Sequence, residues 1–444
     1  MTEGSEAYPA TDPREWFPQA RGPVVIIGNP ASLFPRHLAA LWRSWGMDAR
    51  IVTRRWNGDS ILPDGTPVMA SGGHEGPLRR RSYRVLEGLL RQVESRIYAR
   101  QRDRYEAAMG SEKSYRPFAS PWIVDALSIS RFVRALRPQF ICGQEVFAYG
   151  LATSLSRGFP RVIMPWGGDV YMYSETTSLA FALVKYALRH VDLVVPGSAL
   201  AGEHLQSRFG VPRDRLHVGG LWALDKERFQ RATAEENLRI RARFTIGPDD
   251  LVVMNVRRFF PAWGSDLALR AFCRFAKEWP SSHFVLLGGA GTEAYVAAAR
   301  ETLAREGLTS RFTLFDGDLP LADCAALMSI SDICVSLMRE RDMRPLASIL
   351  EAACAGGAPV LGDQPEYRAM ERLGFSALFA RSEDPDSAVE AIRQYASSAD
   401  LRQAAVAQNA TYIREHEDGR EQATSLLRKV TSLCDAYDIA NSRP

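Results

Sequence analysis

Short apolar runs of strand length alternate with amphipathic stretches of helical length along almost the whole chain. PVVIIGN (23–29) reads as a buried strand, PRHLAALWRSWG as a helix and ARIVTRR as a strand. SPWIVDALSISRFVRAL, VFAYGLATSL and LAFALVKYALRH then read as helices, set between the strands QFICG, RVIMPWG and VDLVVPG. SALAGEHLQSRFG follows as a helix with Ser198 as its N-cap. Strands that are apolar throughout, separated by helices, predict parallel sheets covered on both faces.

The alternation breaks near 215–235 at HVGGLWALDKERFQRATAEENL, then restarts with the strands DLVVMNV, HFVLLGG, RFTLFDG, DICVSL, APVLG and ALFA. Two α/β domains are therefore expected: 1–220, and 221–420 after it. The last stretch, from DPDSAVEAIRQYA to SLLRKVTSLCDAY, is helical throughout and is expected to cross between the two, with 421–444 packing back on the first. Residues 57–116 are expected to be an insert that opens as a Gly/Pro-rich loop and continues as a long helix. Val85, Leu86, Leu89, Leu90, Val93 and Ile97 share one face of that helix, and arginines crowd the other. Two readings of the insert stand. It touches anionic lipid or a phosphate-bearing acceptor, or it is a solvated helix whose acids pair locally.

Composition narrows this only a little. Length favours more than one core, and a formal charge of +3 is too small to point to nucleic acid. Cys142, Cys273, Cys324, Cys334, Cys354 and Cys434 are scattered without a CxxC pair, so reduced core thiols are expected. The polar opening lacks the apolar run of a signal peptide, and no run is long enough to span a bilayer. The cytoplasm is the expected location, with peripheral contact at the inner membrane face through the insert as an option. None of the seven histidines sits in a metal-like cluster, so no metal and no cofactor are expected.

Candidate chemistry concentrates in RPLASILEAACAGGAPVLGD (344–363). Pro345 stands where a first helical residue belongs. The N–H groups of Leu346 and Ala347, with the helix dipole, would face an anion such as a diphosphate, and Arg339, Arg341 or Arg344 would supply counter-charge. Glu351 is placed to accept hydrogen bonds from a ribose diol; otherwise it is a surface glutamate. Neither GxxxxGK[ST] nor a clean GxGxxG is present, which disfavours a nucleotide kinase or a nicotinamide dehydrogenase.

Here the residues carry a resemblance. SILEAACAGGAPVLG resembles the signature of the retaining glycosyltransferases of family 4, in which an E-x7-E pattern leads into an LEAMACG-PV helix and strand. HVGGLWALDKERF, VRRFFPAWGSDLALRAF, FVLLGGAG and VIMPWGGDVY resemble further segments of that family, in order, between Pro23 and Leu427 with 57–116 excepted. The resemblance implies a GT-B fold, two Rossmann-like doubly wound domains facing across a cleft. It also implies a nucleoside-diphosphate sugar as co-substrate and an acceptor glycan, lipid, protein or small molecule.

Carried over residue by residue, the resemblance places Glu351 on the donor ribose, while the family's first glutamate is replaced by Met343. Asp342 or Glu340 stands close enough to substitute. Arg258 matches the arginine that holds donor phosphate, and the lysine five positions on is Trp263. Gly289 belongs to the glycine turn after the second strand of that domain. On the acceptor side, Gly28 and Asn29 form the first turn. Gln144 stands where a histidine is usual, with Glu145 next, and Gly168 and Asp169 keep the WGSD-like turn. Asp169 and Arg258 are the catalytic candidates; the plainer readings are a turn or N-cap aspartate and a strand-end arginine. The expected activity is metal-free, retaining transfer of a sugar to a hydroxyl. The alternative is a degenerate GT-B module that binds a nucleotide sugar or a protein partner without turnover.

Overall fold

The computed structural model describes residue 13 and residues 22–30, 33–109, 119–219, 224–289, 292–339, 347–417 and 419–441. The chain divides into two units, the first drawn from 1–223 and 419–444, the second from 224–418. Each is built on one six-stranded sheet in which every recorded pairing is parallel.

In the first unit the strands are β1 (Val24–Ile27), β2 (Ala49–Thr53), β3 (Val68–Ala70), β4 (Phe140–Gln144), β5 (Arg161–Met164) and β6 (Leu193–Val194), ordered 3-2-1-4-5-6. The second unit holds β7 (Leu251–Arg258), β8 (Ser282–Leu287), β9 (Phe312–Leu314), β10 (Ile333–Ser336), β11 (Ala358–Gly362) and β12 (Leu378–Ala380), in the same topology. The order reverses between β1 and β4 in one sheet and between β7 and β10 in the other, which makes those two crevices the places where a doubly wound sheet binds ligands.

Burial explains the continuous apolar strands. Val24, Ile26, Phe140, Cys142 and Val162 pack on one face of the first sheet, while Val25, Ile27, Val52 and Ile141 pack on the other. Alternate residues of β7, β8 and β10 divide in the same way between two further cores. The helix Gly419–Asn441 adds Ala423, Leu426, Leu427, Val430 and Cys434 to a core of the first unit. All six cysteines are free thiols. Ser198 caps its helix by accepting from Ala201 N at 3.1 Å.

Two features differ from the sequence pattern. The Gly/Pro-rich stretch after 57 is not only a loop, because it contributes β3, the edge strand beside β2. Three residues with one buried side chain are too short for a periodicity to register. The insert helix Pro77–Arg100 also turns its faces differently. Leu86, Leu90 and Ile97 are half-buried, but Val85, Leu89 and Val93 point to solvent. The orientation follows from Glu94, the one buried residue of the helix. Its carboxylate accepts from Ala119 N and Ser120 N at 2.9 Å each and from the Ser120 hydroxyl. It thereby caps the neighbouring helix Ala119–Leu136 from outside.

Replacing Glu94 by Ala leaves two buried N–H groups without acceptors. The expected loss is about 2–4 kcal/mol of stability, read as a lower urea midpoint with an unchanged m-value. An unchanged midpoint would show that the cap does not hold the insert.

Candidate functional site

The carboxyl ends of β1, β2, β4 and β5 surround a cavity of about 460 Å³ in the first unit. Asn29, Thr53, Arg54, Arg55, Glu145 and Trp166 reach it from the strand ends, and Trp122, Asp125 and Tyr149 from the helices behind. Gly28 cannot carry a side chain here: a Cβ would lie 2.9 Å from Pro35 and 3.3 Å from Gln144. The turn into Asn29 therefore runs directly over the end of β4.

Asp169 is buried and spends its carboxylate on the backbone. It accepts from Val146 N at 2.8 Å, Gly167 N at 2.7 Å and Trp166 N at 3.1 Å, tying the turn after β4 to the turn after β5. Gly168 opens the short helix Gly168–Tyr171, beside Gly167 at φ 127°. Gln144 is buried beneath the cavity rather than lining it. Its amide nitrogen lies 3.0 Å from the Met164 sulfur, and its oxygen accepts from Trp166 Nε1 at 3.3 Å. Trp166 is thus held from below.

Asp125 and Glu87 also line the cavity, and Glu145 enters it from the end of β4. Its backbone is left-handed (φ 66°), an uncommon conformation for a residue with a Cβ. Burial pushes its carboxyl up to about 8, and the Asp169 charge adds to the rise. Around it, Arg54 is ion-paired with Asp125, and the Thr53 hydroxyl lies 3.4 Å from the Tyr149 hydroxyl. The sequence reading missed Arg54, Asp125, Tyr149, Trp122 and Trp166. Two tryptophans close to the sheet's carboxyl edge were the available signal.

In the second unit, β7 bulges between Asn255 and Arg258. Asn255 Nδ2 donates to Arg257 O at 2.8 Å and Ser265 Oγ to Arg258 O at 2.8 Å, which fixes the bulge and re-aims both arginines. Arg257 lies over the Trp263 ring at 4.5 Å, so the position expected to hold a lysine instead braces an arginine. Arg258 is half-exposed and meets Asp318 at only 3.7 Å, a weak surface pair that leaves the guanidinium available to a phosphate.

Glycine is again needed at close approaches. A Cβ on Gly289 would lie 2.6 Å from the Arg258 side chain, one on Gly288 would lie 1.9 Å from Phe315 O, and one on Gly264 would lie 1.8 Å from Leu337 O.

Glu351 sits in the helix Ala347–Cys354 between the buried residues Leu350 and Ala352. Burial pushes its carboxyl up to about 7; Arg228 and Arg257 pull it down and Asp225 pushes it further up. Asp225 and Arg228, themselves 3.3 Å apart, come from the stretch before the sheet and were not foreseen as site residues. Arg339 is engaged elsewhere: its guanidinium holds Asp266 and Glu383. The described part of this helix begins at Ala347; Asp342, Arg344, Pro345 and Leu346, with Glu340, Arg341 and Met343, lie outside the described residues. Among the described residues, no three His, Cys, Asp or Glu side chains gather as a metal site.

Comparison with known proteins bears on the second unit and on the fold. Residues 236–411, within the second unit, match the family described as Glycosyl transferases group 1. Sucrose-phosphate synthase from Thermosynechococcus elongatus is similar in structure, with 14% identity, a TM-score of 0.69, and 93% of this chain and 100% of that one covered. So is Anabaena HepE in complex with UDP, at 14% identity, TM-score 0.64, and 92% and 100% coverage. A UDP-forming trehalose-phosphate synthase from Burkholderia vietnamiensis matches at 15% identity, TM-score 0.63, and 92% and 99% coverage. No curated protein matches the sequence. The fold is GT-B, that of these glycosyltransferases, and the second unit carries the group 1 match.

The raised Glu351 carboxyl has a consequence for stability. Its folded value, about 7, lies above the unfolded value near 4.5, so the folded chain holds the extra proton between them and loses stability as pH rises through that window. Glu351→Gln removes the effect. The variant is expected to be more stable than the parent by on the order of 1–3 kcal/mol above pH 7, with the gap closing towards pH 4.5. Denaturant midpoints across that range check it, and a gap independent of pH would refute it.

Proposed function

We propose that this protein moves a sugar from a nucleoside diphosphate to an acceptor hydroxyl, with retention and without a metal ion, in the manner of family 4 glycosyltransferases. The observation that carries the proposal is the grouping of Glu351, Arg257 and Arg258 around the β7–β10 crevice of the unit that matches the group 1 family. A carboxylate suits the two hydroxyls of a ribose, and an arginine with only a weak surface partner suits a diphosphate.

In the reaction, the bond from the anomeric carbon to the phosphate oxygen breaks and a bond from that carbon to the acceptor oxygen forms on the same face. The acceptor proton passes to the departing diphosphate. Arg258 stabilises the charge that grows on the leaving group. The cavity beside Glu145 would hold the acceptor, with Trp122 and Trp166 offering faces to a sugar ring and Glu145 offering a hydrogen bond. Near neutral pH Glu145 holds its proton, so it donates to an acceptor oxygen rather than removing a proton from it. Asp169 would act through the two turns it ties together, as a positioning residue.

UDP is the first nucleotide to test, since HepE was solved with it. UDP is expected to raise the melting temperature. Glu351→Ala and Arg258→Ala should each weaken its binding by about tenfold to a hundredfold. No shift with UDP, GDP, ADP or dTDP would defeat the proposal. Binding with no transfer across a broad acceptor screen would instead identify a module that holds nucleotide sugar without turnover.

Glu145→Gln, which keeps a neutral donor, should retain acceptor kcat/KM at pH 7 and lose the decline that the parent shows above pH 8. Glu145→Ala should lower kcat/KM without changing nucleotide affinity. An identical pH profile for the parent and the Gln variant would exclude the assignment.

A further inference from the structure

We infer that the outward face of the helix Pro77–Arg100 is a docking surface for an anionic lipid bilayer. Leu78, Val85, Leu89 and Val93 are 82%, 58%, 57% and 50% exposed, although each is a residue that a helix normally turns inward. Their spacing puts them on one stripe. Arg81, Arg96 and Arg100 lie along the same side of the helix and are exposed, and none is paired with an acid among the described residues.

The two acids of this helix are both spent elsewhere. Glu94 caps Ala119–Leu136 and Glu87 pairs with Arg91 at the cavity wall. Arg80 and Arg84 also turn to a cavity, one of about 480 Å³ bounded by Arg55, Trp56 and Glu75. What remains outward is apolar and cationic, with Ser82 and Gln92 between, and carries no acid.

That combination selects the occupant. A protein groove would explain the apolar stripe but not arginines without acids beside it. A free phosphate would explain the arginines but not four exposed aliphatic side chains. A bilayer surface with acidic headgroups satisfies both, with the aliphatic side chains entering the acyl boundary and the guanidinium groups resting among phosphates. Among the described residues no helix is long and apolar enough to cross a membrane, so the contact is with the surface.

The test uses the full chain and sedimentation with two kinds of vesicle, phosphatidylcholine alone and phosphatidylcholine with one quarter phosphatidylglycerol. Partition onto the anionic vesicles is expected, with little onto the neutral ones and less at high salt. The double variants Leu89→Glu with Val93→Glu, and Arg81→Glu with Arg96→Glu, should each lower it by about tenfold or more. All four positions are exposed, so melting temperature should hold and serves as the folding control. Absence of binding to anionic vesicles, or binding that both double variants leave intact, would overturn the inference. So would self-association that Leu89→Glu with Val93→Glu abolishes without any vesicle partition, which would assign the face to a second copy of the chain.

Discussion

Parallel pairing of β1 with β4, and of β7 with β10, is the constraint from which both candidate sites follow. At each pair the connections leave to opposite faces of the sheet, so the chain parts and opens a crevice at the carboxyl ends. The same local device appears in both. A glycine after the first strand of the pair lies against the end of the second: Gly28 on Gln144, and Gly264 on the carbonyl of Leu337. A side chain at either position would force the two strand ends apart. The residues proposed for the sites then hang from these ends, Asn29 and Glu145 in one unit, Arg257 and Arg258 in the other.

Four acids show what decides the use of a carboxylate in such a fold. Asp169 and Glu94 are buried and fully engaged by backbone N–H groups, and each joins two segments of chain. The carboxyl groups of Glu145 and Glu351 accept no hydrogen bond among the described residues, and burial holds both well above the usual carboxylate range. A group left in that condition weakens the fold wherever it ionises. It also keeps free the lone pairs or proton that a bound hydroxyl needs. The first pair stabilises the frame, and the second is the pair we propose for ligands.

Legibility in the sequence followed the range of the interaction. The strands other than β3, their parallel arrangement and the Ser198 cap could be read directly, because continuous apolar runs and a capping serine are local signals. Glu351 stood out for the same reason, a single charge between Leu350 and Ala352. Gln144 looked equivalent to a site residue but lies under the cavity, because the end of β4 turns one residue later, at the left-handed Glu145. Arg54, Asp125 and Tyr149 meet only through the fold: the first sits at the end of β2 and the others on two different helices. Asp225 and Arg228 reach Glu351 across more than a hundred positions. No period or motif encodes such encounters.

The insert helix shows how one residue can overrule a periodicity. It carries two apolar stripes, Leu86, Leu90 and Ile97 on one side and Leu78, Val85, Leu89 and Val93 on another, and only one can face the protein. Fully burying a Val, Leu or Ile side chain is worth about 1.5–3 kcal/mol, so the second stripe, with four such residues against three, has the larger apolar gain by about that much. Glu94 lies beside the first stripe, where its carboxylate accepts three charge-assisted hydrogen bonds worth about 1.5–3 kcal/mol each. Rotating the helix to bury the second stripe would break all three and leave two N–H groups of the next helix without acceptors. The hydrogen bonds therefore set the rotation, and the exposed stripe is a consequence of the buried acid. Because those hydrogen bonds and not the exposed stripe hold the helix in place, a partner can cover the stripe without disturbing the fold.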